Sequence, residues 1–183
     1  MAGNIQIRTL HTIDERALQG LSDVLVDCVE GGASVSFMLP MTRAKADAFW
    51  RNAAASVARG ERVVLAAEDA TGAIIGTVTV ILQQPENQPH RGDIAKMLVH
   101  RCARRQGVGA ALLLAAERCA LAAGKTLLVL DTASAEAERL YARQGWQRCG
   151  VIPDYALLPD GAPCATTIYY KFLHLNHSAQ ASM

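Results

Sequence analysis

The sequence predicts an α/β sandwich whose elements run β α α β β β α β α β β. Three observations predict it. β-branched runs between 62 and 100 read as an antiparallel meander, residues 94 to 132 read as a strand, helix, strand crossover, and two apolar strands close the chain after a short helix. With 183 residues, 51% of them hydrophobic, the chain can bury one sizeable core. We expect a single domain over 1–175 and a frayed tail over 176–183.

The short alternating stretch "NIQIRTL" suits an opening strand. "TIDERALQGLSDVLVDCVE" follows with Leu18, Leu21, Leu25 and Val29 at helical spacing, behind Thr12 or Asp14 as the cap. Gly31 and Gly32 break that helix, and a second runs from a threonine cap through "RAKADAFWRNAAASVA" to Gly60. The loop between them, "GGASVSFMLP", is apolar; it either packs the helical hairpin or lines a binding site. "RVVLAAED" and "AIIGTVTVILQQ" are strands joined by the turn "ATG", and "DIAKMLVH" is a third strand after the polar break "PENQPHRG". A helix then runs from Gly107 to about Ala123, and "KTLLVLDT" is a buried strand. "SAEAERLYARQG" makes the last helix. "WQRCGVI" and "ATTIYYKFL" are the closing strands, with "PDYALLPDGAP" as the turn between them.

The formal net charge is +1, from 18 Lys and Arg against 17 Asp and Glu, so no bulk field draws the chain to nucleic acid or a membrane surface. Cys28, Cys102, Cys119, Cys149 and Cys164 are scattered, without paired metal-ligand spacing, and read as reduced thiols. No histidine pairs with a cysteine or carboxylate at metal spacing, so no metal is expected. The N-terminus lacks a basic region followed by an apolar core, and the expectation is a cytoplasmic protein. The apolar C-terminal strands are compatible with a monomer or a homodimer.

The stretch "RRQGVGAALLLAAE" (104–117) is the most informative. A helix N-terminus leaves its first amides unpaired and carries partial positive charge, so a glycine turn before it lets an anion reach the backbone. Arg104 and Arg105 add charge, and the amides of Gln106, Gly107, Val108, Gly109 and Ala110 can converge on a diphosphate. An isolated G-x-G also serves a plain strand-to-helix turn. A P-loop is excluded for this stretch, because no lysine with a following Ser or Thr stands in it, and a dinucleotide fingerprint is excluded by Leu112 at the third glycine position.

"MLVHRCARRQGVGAALL" resembles the acetyl-coenzyme A (acetyl-CoA) motif of the GNAT N-acetyltransferases, with Arg104, Gly107 and Gly109 at its fixed positions. "AERLYARQGWQRCG" is similar to that family's second motif through Tyr141, Gly145 and Trp146, and the likeness spans about Arg62 to Phe172. Within the family the chain most resembles the tabtoxin-resistance acetyltransferases, through "EGGASVSFM", "HRGDIAKMLV", "LLVLDT" and "LPDG". The resemblance implies a mixed central sheet of about seven strands flanked by about four helices, with acetyl-CoA as cosubstrate. It implies transfer of acetyl to a primary amine by direct attack, the acceptor being a small molecule such as an antibiotic or an amino-acid-like toxin. A non-catalytic acyl-CoA sensor and a protein lysine acetyltransferase are the alternatives.

Such a reaction sets three tasks. An amine with a pKa of about 10.4 is almost wholly protonated at neutral pH, so a proton must be removed; Asp93 and Asp131 are the candidate acceptors. The resembled proteins have glutamate at the Asp93 position, and aspartate at Asp131. Their ordinary alternatives are an exposed residue at a strand start for Asp93 and a cap of the helix near Ser134 for Asp131. Related enzymes acting on protein N-termini carry a glutamate at the Val129 position, which here is apolar and speaks against such substrates. By resemblance, the amides of Met97, Leu98 and Val99, freed by a bulge, meet the thioester oxygen and pantetheine arm. The triplet would look the same if it were simply buried on both faces. Tyr141 is the candidate acid for the departing thiolate, or else a core aromatic packed with Leu140 and Trp146. Ser134 stands where many relatives have an asparagine on the cofactor arm, and it also suits a helix cap. His90 lines the amine pocket or is solvated, and His100 falls in the turn.

Overall fold

The computed structural model describes residues 5–174; the expected tail, 176–183, lies outside them. The elements are β1 (Gln6–Leu10), α1 (Glu15–Glu30), α2 (Arg43–Ala58), β2 (Arg62–Glu68), β3 (Ile74–Ile81), β4 (Arg91–Val99), α3 (Val108–Ala122), β5 (Leu127–Thr132), α4 (Ala135–Arg143), β6 (Gln147–Leu157) and β7 (Pro163–Phe172). This is the order expected from the sequence. A single 3₁₀ turn, Arg101–Ala103, adds to it between β4 and α3.

Local chemistry fixes the helix ends. Asp14 caps α1 by accepting the Ala17 amide at 2.8 Å, and Thr42 caps α2 through the Lys45 amide at 3.3 Å. Leu18, Leu21, Leu25 and Val29 are all buried, so the helical stripe read from the sequence is the stripe that packs.

The strands form one 7-stranded sheet in the order β1-β2-β3-β4-β5-β7-β6. β4 and β5 are parallel and every other neighbouring pair is antiparallel. Alternation along β2 sends Leu65 and Ala67 to one face and Val64 and Ala66 to the other. The first face packs under α3 with Leu112, Leu113 and Ala116, and the second under α1 and α2 with Leu21, Leu25 and Trp50. The sheet is therefore sandwiched between two helical layers, as an α/β sandwich requires.

The end of the chain corrects one expectation. The stretch 153–163 was expected to be a turn, but β6 continues through Pro153 to Leu157 and the turn shrinks to 158–162. β6 is an edge strand, so a residue without an N–H is tolerated there. The register with β7 slips between Ile152 and Ala156, and Asp154 takes φ +50°, so Pro153 sits in a bulged stretch rather than in a regular ladder. Among the described residues no helix is long and apolar enough to cross a membrane.

Candidate active site

The site begins where the parallel pair β4 and β5 separates. β4 and β5 are in register from Arg91–Asp93 against Leu127–Val129, and beyond these residues the two strands no longer pair. On its other side β4 bulges: Thr77 faces Leu98 while Thr79 faces Ala95, so β4 carries one residue more than β3 over that interval. Lys96 sits in the bulge with φ +50°, a left-handed conformation uncommon for a side-chain-bearing residue. The diverging strands open a cleft of about 1060 Å³ at the carboxyl ends of the parallel pair, the usual ligand position in such sheets.

One end of the cleft is the turn into α3. Arg105 and Gly107 take φ +60° and +84°, and Gly107 caps the helix with no side chain of its own. The first amides of α3 have no carbonyl one turn back to bond to, and they face the cleft through Gly107, Val108, Gly109 and Ala110. A Cβ added at Gly107 would meet nothing within 4 Å, so the space above this backbone is open. Arg104 and Arg105 line the same end. Open space, unpaired amides and two cations at a helix N-terminus fit the diphosphate of a coenzyme. Gln106 does not line the cleft with the others; its side chain donates to the Cys102 carbonyl at 2.9 Å and ties the turn to the 3₁₀ segment.

Met97, Leu98 and Val99 form the cleft's middle wall on the β4 side. Opposite them stands α4. Ser134 caps it by accepting the Ala137 amide at 3.3 Å while still lining the cleft. Tyr141, in the last turn of the helix, is 3% exposed and lies among Trp146 and Tyr169, with ring centroids at 5.9 and 5.7 Å. It is thus both a core aromatic and a cleft residue. Burial raises its phenol well above the ordinary tyrosine value, and the nearby Asp131 carboxylate adds to the rise. No hydrogen bond among the described residues engages its hydroxyl.

The two candidate carboxylates part company here. Asp131, at the end of β5, lines the cleft and accepts the Thr166 hydroxyl at 3.0 Å; it does not cap α4, since Ser134 does. Asp93 is not among the cleft-lining residues. It accepts from Gln84 at 3.1 Å and from Arg91 at 3.3 Å, within the stretch where β4 and β5 are still paired. His90 also lies away from the cleft, its carbonyl accepting the amides of Thr126 and Leu127. His100 caps the 3₁₀ turn by accepting the Cys102 amide at 3.3 Å.

The apolar loop between α1 and α2 does both things its sequence allowed. Phe37 packs edge-on against Phe49 in the hairpin at 5.4 Å, while Ser34, Val35 and Ser36 line the far end of the cleft. Ser34 donates to the Leu157 carbonyl at 3.1 Å and the Leu39 amide donates to the Pro159 carbonyl at 2.9 Å, so the β6–β7 turn braces the loop.

Two features escaped the sequence reading. Lys96 lines the cleft and reaches across it to donate to the Ser36 hydroxyl at 3.2 Å. Its signal was there: a charge inside the apolar run "IAKMLV" is out of place in a strand buried on both faces. The second is a buried brace behind the site, where Glu117 on α3 accepts Trp146 Nε1 at 2.8 Å and Lys171 Nζ at 2.7 Å. Long sequence separations hid it.

Residues 59–148 match the family model described as an acetyltransferase (GNAT) domain. Many solved structures share the fold. A ribosomal-protein-alanine N-acetyltransferase from Brucella melitensis is 22% identical with a TM-score of 0.76, over 92% of this chain and 99% of that one. A putative acetyltransferase from Salmonella typhimurium, solved with acetyl-CoA, is 17% identical with a TM-score of 0.76, over 98% and 99%. A GNAT superfamily phosphinothricin acetyltransferase from Sinorhizobium meliloti, in complex with acetyl-CoA, is 17% identical with a TM-score of 0.76, over 100% and 94%.

Proposed function

The chain belongs to the GNAT acetyltransferases, acetyl-CoA-dependent enzymes, and from that premise we propose that it acetylates the primary amine of a small molecule by direct attack. The observation that carries this reading is the shared cleft: the α3 turn, Tyr141 and Asp131 all line one opening between the separated strands. The bound cosubstrate supplies an activated acetyl group as a thioester. The chain supplies everything else.

The turn from Arg104 to Ala110 holds the diphosphate with main-chain donors and two guanidinium groups, which sets the direction of the arm along β4. Main-chain donors at Met97 to Val99, on the side of β4 that has lost its strand partner, face the oxygen that gains charge. Tyr141 donates its proton to the departing thiolate, a role that its raised pKa favours by keeping the phenol protonated. Asp131, which also lines the cleft, takes the proton of the incoming amine, directly or through water. We give Asp131 this role over Asp93 because only Asp131 lines the cleft.

A small acceptor is favoured by the α1–α2 loop and the β6–β7 turn, whose Ser34, Val35, Ser36 and Leu158 wall the same cleft that Asp131 lines. An antibiotic or toxin amine would belong to this class. The five cysteines are free thiols, which suits a reaction carried out in the cytoplasm. Thiol release from acetyl-CoA, measured over small amines, a lysine-containing peptide and a peptide with a free N-terminus, tests the proposal. Turnover confined to the peptides would refute it.

A further inference from the structure

The cleft contains a primary amine of its own. Lys96 is half-buried, lines the opening that Tyr141 and Asp131 also line, and among the described residues forms no ion pair. Its left-handed backbone at the β4 bulge and the contacts at its tip hold it in place. Nζ donates to the Ser36 hydroxyl at 3.2 Å and stands 5.8 and 5.6 Å from the Phe37 and Phe49 ring centres. Burial lowers its pKa from the usual lysine value, the Asp131 carboxylate opposes that shift, and Arg62 adds to it. The nitrogen is therefore neutral, and able to attack, more often than that of a lysine in water. The same Asp131 charge raises the Tyr141 phenol, so one carboxylate lies within electrostatic range of both groups. Lys96 also directly precedes Met97, the first residue of the segment assigned to the thioester oxygen. The other three lysines lack this setting. Lys45 donates to the Pro40 carbonyl, Lys125 to the Pro89 carbonyl and Lys171 to Glu117, and none of them lines the cleft.

We propose that Lys96 is a self-acetylation site: with acetyl-CoA bound and no other amine in the cleft, Lys96 Nζ attacks the thioester and the chain acetylates itself. A bond forms between Nζ and the acetyl carbonyl carbon, and the carbon–sulfur bond breaks. The ammonium first gives a proton to Asp131, which passes it to solvent. The departing sulfur takes the Tyr141 proton and leaves as the coenzyme thiol, and the second proton lost by Nζ restores the phenol. The product is Nζ-acetyllysine, with no oxidant or further reactant consumed. An amine already held in the cleft needs no encounter step, which favours the transfer whenever the cleft is otherwise empty. The proposal rests on the acetyl-transfer reading above, which supplies the thioester and its direction.

The test incubates the full chain with acetyl-CoA carrying a deuterated acetyl group, removes the coenzyme by gel filtration, and maps the label by peptide mass spectrometry. Spontaneous acetylation favours the exposed Lys45, so that residue is the internal control. We expect Lys96 to be labelled at least about tenfold faster than Lys45, at a rate independent of chain concentration. Tyr141→Phe should slow the labelling of Lys96 about a hundredfold or more and leave that of Lys45 unchanged. Labelling of Lys96 no faster than of Lys45, or unchanged in Tyr141→Phe, would mark it as spontaneous chemistry and overturn the proposal. A rate that rises with chain concentration would mean that one copy acetylates another, and would overturn the step within the cleft. Thiol release with small amines but no label at Lys96 would overturn the proposal while sparing acetyl transfer. Absence of both, with acetyl-CoA binding intact by calorimetry, would overturn the functional reading and this proposal together.

Discussion

Replacing Tyr141 with phenylalanine separates catalysis from packing at one position. The ring sits 5.9 Å from Trp146 and 5.7 Å from Tyr169, and phenylalanine keeps both contacts. The hydroxyl has no protein partner among the described residues, so its removal loses no hydrogen bond. Stability should therefore change by no more than about 1 kcal/mol, since a hydroxyl that lines the cleft and bonds no protein group contributes little. In a chain of this size that corresponds to a Tm shift of roughly 2 to 4 °C. Turnover should respond quite differently. Losing a positioned general acid costs roughly a hundredfold to ten-thousandfold in kcat, or about 2.7 to 5.4 kcal/mol in the barrier. Thiol release under saturating amine gives kcat, calorimetry gives acetyl-CoA affinity and thermal melting gives Tm. The expected pattern is a large fall in kcat, affinity within about threefold and an almost unchanged Tm. A kcat within threefold of the unaltered protein, or an equal loss of affinity, would refute the assignment. Because burial and then Asp131 raise the phenol's pKa, it stays protonated through about pH 10, and an alkaline fall in kcat centred below that would have to come from another group.

The other predictions follow from the same geometry. Asp131→Asn should lower kcat about a hundredfold and Asp93→Asn far less, because only Asp131 lines the cleft; equal losses would bring Asp93 back into the chemistry. In Gly109→Trp the new Cβ lies 3.2 Å from Leu140 Cδ2 and the indole must enter the cleft. Acetyl-CoA affinity measured by calorimetry should fall more than about tenfold, and unchanged affinity would move the diphosphate elsewhere. Glu117→Ala removes the acceptor shared by Trp146 Nε1 and Lys171 Nζ, and should cost about 3 kcal/mol, a Tm fall of roughly 6 to 12 °C. A fall of less than 2 °C would show that the brace adds little.

Caps and turns were legible because their causes are local. Asp14, Thr42 and Gly107 act within three or four residues, so composition alone marks the ends of α1, α2 and the start of α3. The Pro153 stretch misled because a proline reads as a breaker unless the strand is known to be at an edge, and the edge exists only once seven strands have been ordered. Asp93 and Asp131 looked alike for a related reason. Each stands on a strand beside the cleft, but whether a carboxylate reaches the cleft depends on where β4 and β5 cease to pair, which no single strand encodes.

By itself, then, the sequence determined the order of elements, the helical stripes and the glycine turn that opens α3, since each follows from backbone preferences and periodicity over a few residues. Only the tertiary structure decided that β4 bulges at Lys96, that its ammonium crosses to Ser36, and that Asp131 rather than Asp93 lines the cleft. The physical reason is register. Side-chain direction along β4 and β5 is set by which residues of neighbouring strands they oppose, and those partners lie far away along the chain.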